Sequence, residues 1–171
     1  MPKNVRCNVE DHRLFDNGRK CEDITSFTPP NIEHPTTSVK ASGLVMDIDI
    51  PNIYHYNAME FTVSHNNGTN CNHLSDPGLH QIEGRIARQK YVTALGEIEL
   101  ELVKIRVLGA HKTSEKGSIE TDNPYGGTER YSVLRYEEEI DGEITTLIDS
   151  TAGIIRINGV DYSSELSSLL D

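Results

Sequence analysis

The strongest constraint on this chain is an alternation of apolar and polar residues with a period of two. Residues 97–102, EIELEL, place Ile98, Leu100 and Leu102 on one side of an extended backbone and three glutamates on the other. Such alternation is typical of a β-strand with one apolar face. Residues 103–107, VKIRV, continue the alternation in the opposite phase. The inversion indicates either a β-bulge or a strand that passes from one packing environment to another.

Two-residue turns join other alternating segments into hairpins. An Asp-Gly pair and an Asn-Gly pair each lie between apolar strands, and these dipeptides suit turns that need positive φ at both central positions. Beside the second turn, an arginine and an aspartate are expected to face each other across the two strands. The residues that we expect to determine these turns are Asp141, Gly142, Asn158, Gly159, Arg156 and Asp161.

The rest of the chain predicts a mainly β fold. Short strands are predicted at 21–27, 36–41, 45–50 and 57–64, and helix signals are confined to 69–76 and 163–170. We therefore predict an antiparallel β-sandwich or barrel with a short mid-chain helix and a C-terminal helix. Residues 1–171 are expected to form a single domain, with a long polar loop at 109–128.

Composition excludes several classes of function. The 27 acidic and 16 basic residues give a formal net charge of −11, which disfavours nucleic-acid binding through a basic surface. No apolar run approaches the length that crosses a bilayer, so no membrane partner is expected. The N-terminus lacks an apolar signal region and the three cysteines are widely spaced. These features predict a protein made in the cytoplasm without a disulfide framework.

One polar segment could hold a metal. His65, Cys71, His73 and His80 include a Cys-x-His pair, from which a small metalloenzyme could be built. A closed zinc site needs four ligands at recurring spacings, and no second ligand pair accompanies this one. We therefore predict no metal site and no cofactor.

A second polar segment could supply catalytic carboxylates. Residues 136–143, YEEEIDGE, contain several acids beside a tight turn. Runs of charge usually mark solvated faces and protect strand edges, so we interpret this run as a solvated edge. The sequence contains no familiar catalytic or phosphate-binding motif, and no catalytic residue is predicted. A chain that specifies strand pairing without a reactive site is expected to act through its shape, often with copies of itself.

The C-terminal third carries a resemblance to a known family. A strand with Tyr131 and Tyr136 runs into Asp141-Gly142, then Ile148-Asp149, then residues 158–161 and a short terminal helix. This order resembles the major tail tube protein of P2-like contractile phages and R-type bacteriocins, which is related to the type VI secretion tube protein. The N-terminal half is compatible with the same pattern.

The resemblance implies a structural protein rather than an enzyme. Family members form hexameric rings that stack into a hollow tube, which conducts DNA, effectors or ions. The implied partners are further copies of the chain, the tail sheath, baseplate and terminator proteins, and a tape measure protein in the bore. The implied location is the tail of a virion or phage-tail-like particle, assembled in the bacterial cytoplasm. The alternative is a non-catalytic β-sandwich binding module of a tail or cell-surface assembly.

Stacking of rings requires an extended segment, and residues 38–52 are the natural candidate. This segment is apolar, contains Gly43 and ends at Pro51. The alternative is a hairpin that serves the domain's own core, as apolar strands usually do. The predicted inter-ring contact residues are Val39, Leu44, Val45, Met46 and Ile48.

Overall fold

The computed structural model describes residues 3–171, most of which lie in strands. The strands are β1 (Asn4–Asp16), β2 (Arg19–Cys21), β3 (Ile24–Thr28), β4 (Thr36–Val39), β5 (Ile48–Pro51), β6 (Glu60–His65), β7 (Leu79–Val92), β8 (Glu97–Glu115), β9 (Gly127–Ile140), β10 (Glu143–Asp149), β11 (Ile154–Ile157) and β12 (Val160–Asp161). A 3-10 helix spans Thr69–Ser75 and an α-helix, α1, spans Tyr162–Leu170. The predicted mainly β fold with a short mid-chain helix and a C-terminal helix is confirmed.

The strands form one large antiparallel sheet that divides at β9. Its main order is β12-β11-β10-β9-β8-β7-β1-β2. Residues 127–132 of β9 pair with β6, which also pairs with β3, whereas residues 135–140 pair with β10. The β3–β6 branch folds back over β7. The ring of Phe27 in β3 packs against Gly84 in β7 so closely that a Cβ atom there would lie 2.7 Å from it. The sheet therefore closes on itself, and the core lies between these layers.

Aromatic side chains fill the centre of this core. Phe61 and Tyr131 are fully buried, and their ring centroids lie 6.5 Å apart. The Tyr131 hydroxyl donates to the carbonyl of Leu74, which fastens the 3-10 helix to the sheet. Burial raises the pKa of Tyr131, so this hydroxyl stays protonated as a donor. Buried residues of the same core cluster include Leu14, Val63, Ile82, Ile105, Val107 and Tyr136.

Strand β7 has no counterpart among the sequence predictions. Its core-facing positions include His80 and Gly84, which interrupt the apolar alternation that identifies a strand. Both exceptions have a packing reason. Gly84 leaves room for the Phe27 ring. The buried imidazole of His80 donates from Nε2 to the carbonyl of Asp76 at 2.8 Å, and its Nδ1 lies 2.9 Å from the carboxylate of Asp16.

The predicted polar loop at 109–128 is too long. Strand β8 continues to Glu115 and β9 begins at Gly127, so the connection covers only 116–126. The polar residues at both ends of the predicted loop pair across the two strands, and Glu115 lies opposite Thr128. Their side chains are satisfied within the sheet. The buried carboxylate of Glu129, for example, contacts His111 at 2.7 Å and accepts from Ser114 at 2.8 Å.

Candidate assembly surfaces

The β4–β5 hairpin stands apart from the large sheet as a separate two-stranded sheet. Val39 pairs with Ile48 near its tip, and every residue of both strands is exposed. At its base, the amide of Asn52 donates to the carbonyl of Pro35 at 2.8 Å. The hairpin is thus regular in its backbone but contributes no strand residue to the core.

Exposed apolar side chains crowd the tip of this hairpin. Val45 is fully exposed and Met46 is 75% exposed, although a Lys40–Asp47 ion pair at 3.2 Å accompanies them. This exposure disagrees with the alternative in which 38–52 packs into the domain's own core. The five predicted contact residues are all exposed in the single chain: Val39, Leu44, Val45, Met46 and Ile48.

A second projection is formed by three strands that extend past the rest of the sheet. We call it the arm and define it by residues 4–9 of β1, 87–92 of β7 and 97–102 of β8. The register between β7 and β8 runs without a shift from Leu79–Ala110 to Val92–Glu97. The phase inversion in β8 is therefore a change of environment along a regular strand and not a bulge against β7.

One face of the arm carries an apolar stripe. Val5 pairs with Tyr91, which in turn pairs with Ile98, so these three side chains lie in one row on one face. Leu100 and Leu102 follow on the same face of β8. The members of this stripe are all exposed in the single chain: Val5, Tyr91, Ile98, Leu100 and Leu102.

The opposite face of the arm is occupied by ion pairs. Glu101 is buried, and its carboxylate accepts from Arg88 at 2.7 Å and from Arg6 at 3.2 Å. Burial alone would raise the pKa of Glu101, but the hydrogen bonds from the two arginines outweigh it and lower the pKa. Lys90 donates to Asp141 at 3.1 Å on the same side. The charges of this face are therefore largely satisfied within the chain.

In the body of the sheet, the face turned away from the core carries a ladder of alternating charges. Arg106 donates to Glu139 at 2.8 Å and to Glu83 at 3.3 Å, and it also contacts Glu137. These carboxylates raise the pKa of Arg106 further, so its charge is permanent. A depression of about 350 Å³ lies beside the ladder, lined by residues such as Phe15, Arg85, Leu108 and Arg135.

The ladder corrects the interpretation of 136–143 as a solvated edge. Glu137 is buried and lies in a strand flanked by β8 and β10. The carboxylate of Glu138 accepts from the buried Tyr136 hydroxyl at 3.0 Å. The sequence could not reveal this because Arg106, which pairs with both Glu137 and Glu139, lies on another strand.

The predicted turn residues lie at two tight turns. Asp141 and Gly142 have φ of 49° and 84°, and Asn158 and Gly159 have φ of 50° and 81°. Arg156 lies opposite Asp161 in the register, with 4.0 Å between the charged atoms.

Asp161 also caps α1. Its carboxylate accepts from the amides of Ser163 at 3.0 Å and Ser164 at 3.2 Å. The hydrogen bond from the Ser163 side chain, together with those from these amides, lowers the pKa of Asp161. The charged carboxylate thus joins the end of the closing hairpin to the helix.

The four candidate metal ligands do not converge. His65 contacts Glu129 at 3.3 Å, Cys71 donates to the carbonyl of Gly68 at 3.1 Å, and His80 binds Asp16. Within residues 3–171, no group of three or more histidine, cysteine or acidic side chains is arranged to hold a metal ion.

A smaller contact joins His73 to a cysteine. The Nε2 atom of His73 lies 3.3 Å from the sulfur of Cys21. Burial raises the pKa of Cys21 to about 12, so this sulfur remains a thiol. Burial also lowers the pKa of His73, which favours its neutral form. The contact therefore joins two uncharged groups at the end of the core.

The fold and the match to a family model agree. The model described as phage tail tube protein FII matches residues 7–170. The chain belongs to this family. The predicted resemblance to a contractile tail tube protein is thereby confirmed. No curated protein matches the sequence of this tube family member.

Solved structures of two injection-system components share the fold of this family member. One is the PVC sheath/tube terminator of an extracellular contractile injection system in the extended state, with a TM-score of 0.55 and 12% identity over 78% of this chain and 96% of that chain. The other is from the PVC sheath-tube complex in the extended state, with a TM-score of 0.53 and 10% identity over 77% of this chain and 90% of that chain.

The structure adds one surface that the sequence analysis did not assign to a function. The EIELEL alternation is recognisable as a strand, but its apolar side was not assigned a role. The inverted phase relative to VKIRV is the signal that could have identified an outward-facing apolar stripe. Among residues 3–171, no helix is long and apolar enough to cross a membrane.

Proposed function

We propose that this protein is the structural subunit of the inner tube of a contractile tail or tail-like particle. Copies of the chain form hexameric rings, and the rings stack into a conduit for DNA, effectors or ions. The observation that carries the stacking role is the β4–β5 hairpin, which projects from the sheet with Val45 and Met46 exposed at its tip. The family match over residues 7–170 supports the tube role.

The hairpin supports stacking for two physical reasons. Within residues 3–171, its two strands pair with each other and with no strand of the large sheet, so it can project away from that sheet. Burial of its apolar tip is favourable, and in the described chain no other surface removes the tip from water. Contact with the next ring would supply that surface through the residues Val39, Leu44, Val45, Met46 and Ile48.

In this proposal the tube subunit has a structural role and catalyses no reaction. The charged ladder around Arg106 joins β7, β8 and β9 through side-chain ion pairs in addition to backbone pairing. Such cross-linking of neighbouring strands suits a wall that must keep its shape. The further partners are the sheath on the outside, a terminator and a baseplate at the two ends, and a tape measure protein in the bore. Assembly takes place in the bacterial cytoplasm.

Charge sets the conditions for assembly. Each copy has a formal net charge of −11, so copies repel one another at low salt. Salt at about 0.1 M reduces the range of this repulsion to roughly 10 Å. We therefore expect moderate salt to promote polymerisation of the purified chain.

The test replaces two apolar tip residues with charged ones. The variant Leu44→Asp/Met46→Asp is expected to fold normally but to lose long tubes, because two additional carboxylates cannot be buried in the stacking contact without a large cost. A matched control, Ser118→Asp/Ile119→Asp, adds the same charge at exposed positions of the 116–126 connection. Negative-stain electron microscopy and sedimentation at several salt concentrations compare the two variants with the wild type.

The outcomes separate the parts of the proposal. Long tubes from the Leu44→Asp/Met46→Asp variant would show that the hairpin is not the inter-ring contact. Loss of folding, measured by circular dichroism, would show that the hairpin belongs to the core after all. A wild-type chain that forms neither rings nor tubes at any salt concentration would refute the tube role.

A further inference from the structure

We propose that the arm docks onto a second copy of this chain and buries its apolar stripe in that contact. The stripe consists of Val5, Tyr91, Ile98, Leu100 and Leu102, as defined above. This inference rests on the proposed tube role and deepens it, because it assigns a second self-association surface besides the β4–β5 hairpin.

The phase inversion in β8 shows that the stripe does not serve the core of its own chain. Val103, Ile105 and Val107 are buried on the core side of β8. Ile98 and Leu100 lie at even-numbered positions and therefore on the opposite side of the same regular strand. Their exposed fractions are 66% and 68%. No rotation of these side chains could bring them into the core.

The stripe is larger than the single exposed apolar residues that occur on any protein surface. Five large side chains on one face of three paired strands are each between 39% and 68% exposed. Together they expose roughly several hundred Å² of surface, a patch size that is often functional in monomers. Burying such a patch is the main favourable contribution available to a chain that repels its own copies by charge. The stripe is therefore suited to an association that must overcome repulsion.

The arm also has two unpaired strand edges on opposite sides of β7. In the described chain, β2 covers β1 only at 14–16, and β9 reaches β8 only from Val103 onwards. The edges at 4–9 and 97–101 are parallel, since β1 and β8 are each antiparallel to β7. A copy of the arm can thus continue the sheet of the next copy head to tail, which sets the stripe residues of β8 beside the stripe residue Val5 of the next copy and shields them from water.

Charge complementarity between the two edges favours a copy of this chain over another partner. The β8 edge carries Glu97 and Glu99, and the side chain of Glu99 is 45% exposed. The β1 edge carries Lys3, which is exposed, and Arg6, whose side chain is 47% exposed. Within a copy Arg6 already donates to Glu101 across β7. The attraction between copies therefore comes mainly from Lys3 at one edge and from Glu97 and Glu99 at the other.

The first experiment removes the apolar character of the stripe while keeping strand propensity. The variant Ile98→Thr/Leu100→Thr is expected to need at least about tenfold more protein for assembly, because it exposes polar groups in a buried contact. Threonine is favoured in strands, so the arm itself should persist. Ile119→Thr, at an exposed residue outside the arm, is the control and should assemble like the wild type.

The second experiment uses the native Cys7, which is exposed on the free edge of β1. Cysteine is introduced in turn at positions 97, 98, 99 and 100 of β8, and the assembled protein is oxidised. Two strands separated by a third lie roughly 9–10 Å apart, beyond the reach of a disulfide within one chain. A ladder of covalent oligomers on a non-reducing gel is expected for one or two neighbouring positions, and Cys7→Ser in the same background should abolish it.

The controls distinguish this inference from the tube role. Cysteine at position 119 should give no ladder, and Cys21 and Cys71 are buried and should not contribute. If the wild type assembles while the threonine variant assembles equally well and no position gives a ladder, the arm inference is wrong and the tube role stands. If the wild type stays monomeric throughout, both are wrong. If the arm binds only a different tail protein, the assignment of its occupant is overturned.

Discussion

The two halves of β8 follow the same alternation but place their apolar residues on opposite faces. In residues 103–107 the apolar side chains are buried against the β3–β6 branch, whereas in 97–102 they face outwards. The register with β7 is continuous across both halves. Alternation therefore identifies a strand but not the partner of its apolar face, because that partner depends on what covers the strand at each point.

Glu101 marks the junction between the halves. It occupies the first core-side position beyond Val103, and its carboxylate accepts hydrogen bonds from Arg6 and Arg88. A buried carboxylate is tolerated there because both arginines donate to it. The junction therefore ends the apolar core at a defined residue and leaves the arm without a core of its own.

The largest expected effect compares a buried residue with an exposed one on this strand. Ile105→Ala removes buried apolar atoms and should lower the free energy of unfolding by about 2–5 kcal/mol. Leu100→Ala should change it by less than about 0.5 kcal/mol, because Leu100 is exposed in the unassembled chain. Urea denaturation of dilute protein at low salt measures both. Equal losses would show that the arm packs against its own chain and would end the contrast.

The sequence predicted most elements but not their partners. The short strands, the 3-10 helix and α1 carry local signals, such as alternation, the Asn-Gly turn and polar residues at a helix start. Strand β7 carries no such signal, because packing against Phe27 requires glycine at 84. The charged ladder also depends on residues distant in sequence.

The apolar surface of the hairpin could be predicted from the sequence, whereas that of the arm could not. The apolar tip at 44–46 stands out because it lies between a glycine and a proline in a short segment. The arm stripe combines residues of three strands, one of which was not predicted, so its members could be grouped only once the register was known. The inter-ring role of the hairpin stays a prediction.

Strand β7 allows the same contrast to be sharpened at a neighbouring position. Gly84→Ala would place a methyl group 2.7 Å from the Phe27 ring in the body, and we expect this overpacking to cost about 1–3 kcal/mol of unfolding free energy. Gln89→Ala in the arm, opposite Leu100, should have little effect. Thermal and urea unfolding of both variants compare the two halves of β7. A harmless Gly84→Ala would mean that the β3–β6 branch does not close tightly over β7.

The role of Glu101 at the junction is tested by measuring stability as a function of pH. Glu101→Gln leaves Arg6 and Arg88 without a charged acceptor and should lower stability at neutral pH by about 1–3 kcal/mol. Because the folded-state pKa of Glu101 is lowered, its contribution is present above the unfolded value of about 4.3 and is lost as pH falls through the lower folded value. The wild type and the variant should therefore differ most at neutral pH, and the difference should shrink as the pH falls from the unfolded-state pKa through the lower folded-state pKa. A difference that does not depend on pH would assign the effect to packing alone.

The smallest expected effect concerns the buried polar groups of the body, by which we mean the sheet outside the arm. The contrast between body and arm assumes that the body is held by packing and hydrogen bonds, and a structural metal there would undermine it. We expect a chelator to leave the melting temperature unchanged, because Cys71, His65 and His80 each contact a different partner. Cys71→Ser should keep both folding and assembly, since a serine hydroxyl can donate to the carbonyl of Gly68 as the thiol does. Cys7→Ser, at an exposed position, provides the matched control for the loss of a thiol. A large fall in melting temperature with chelator that added zinc restores would mean that the body owes its stability to a metal.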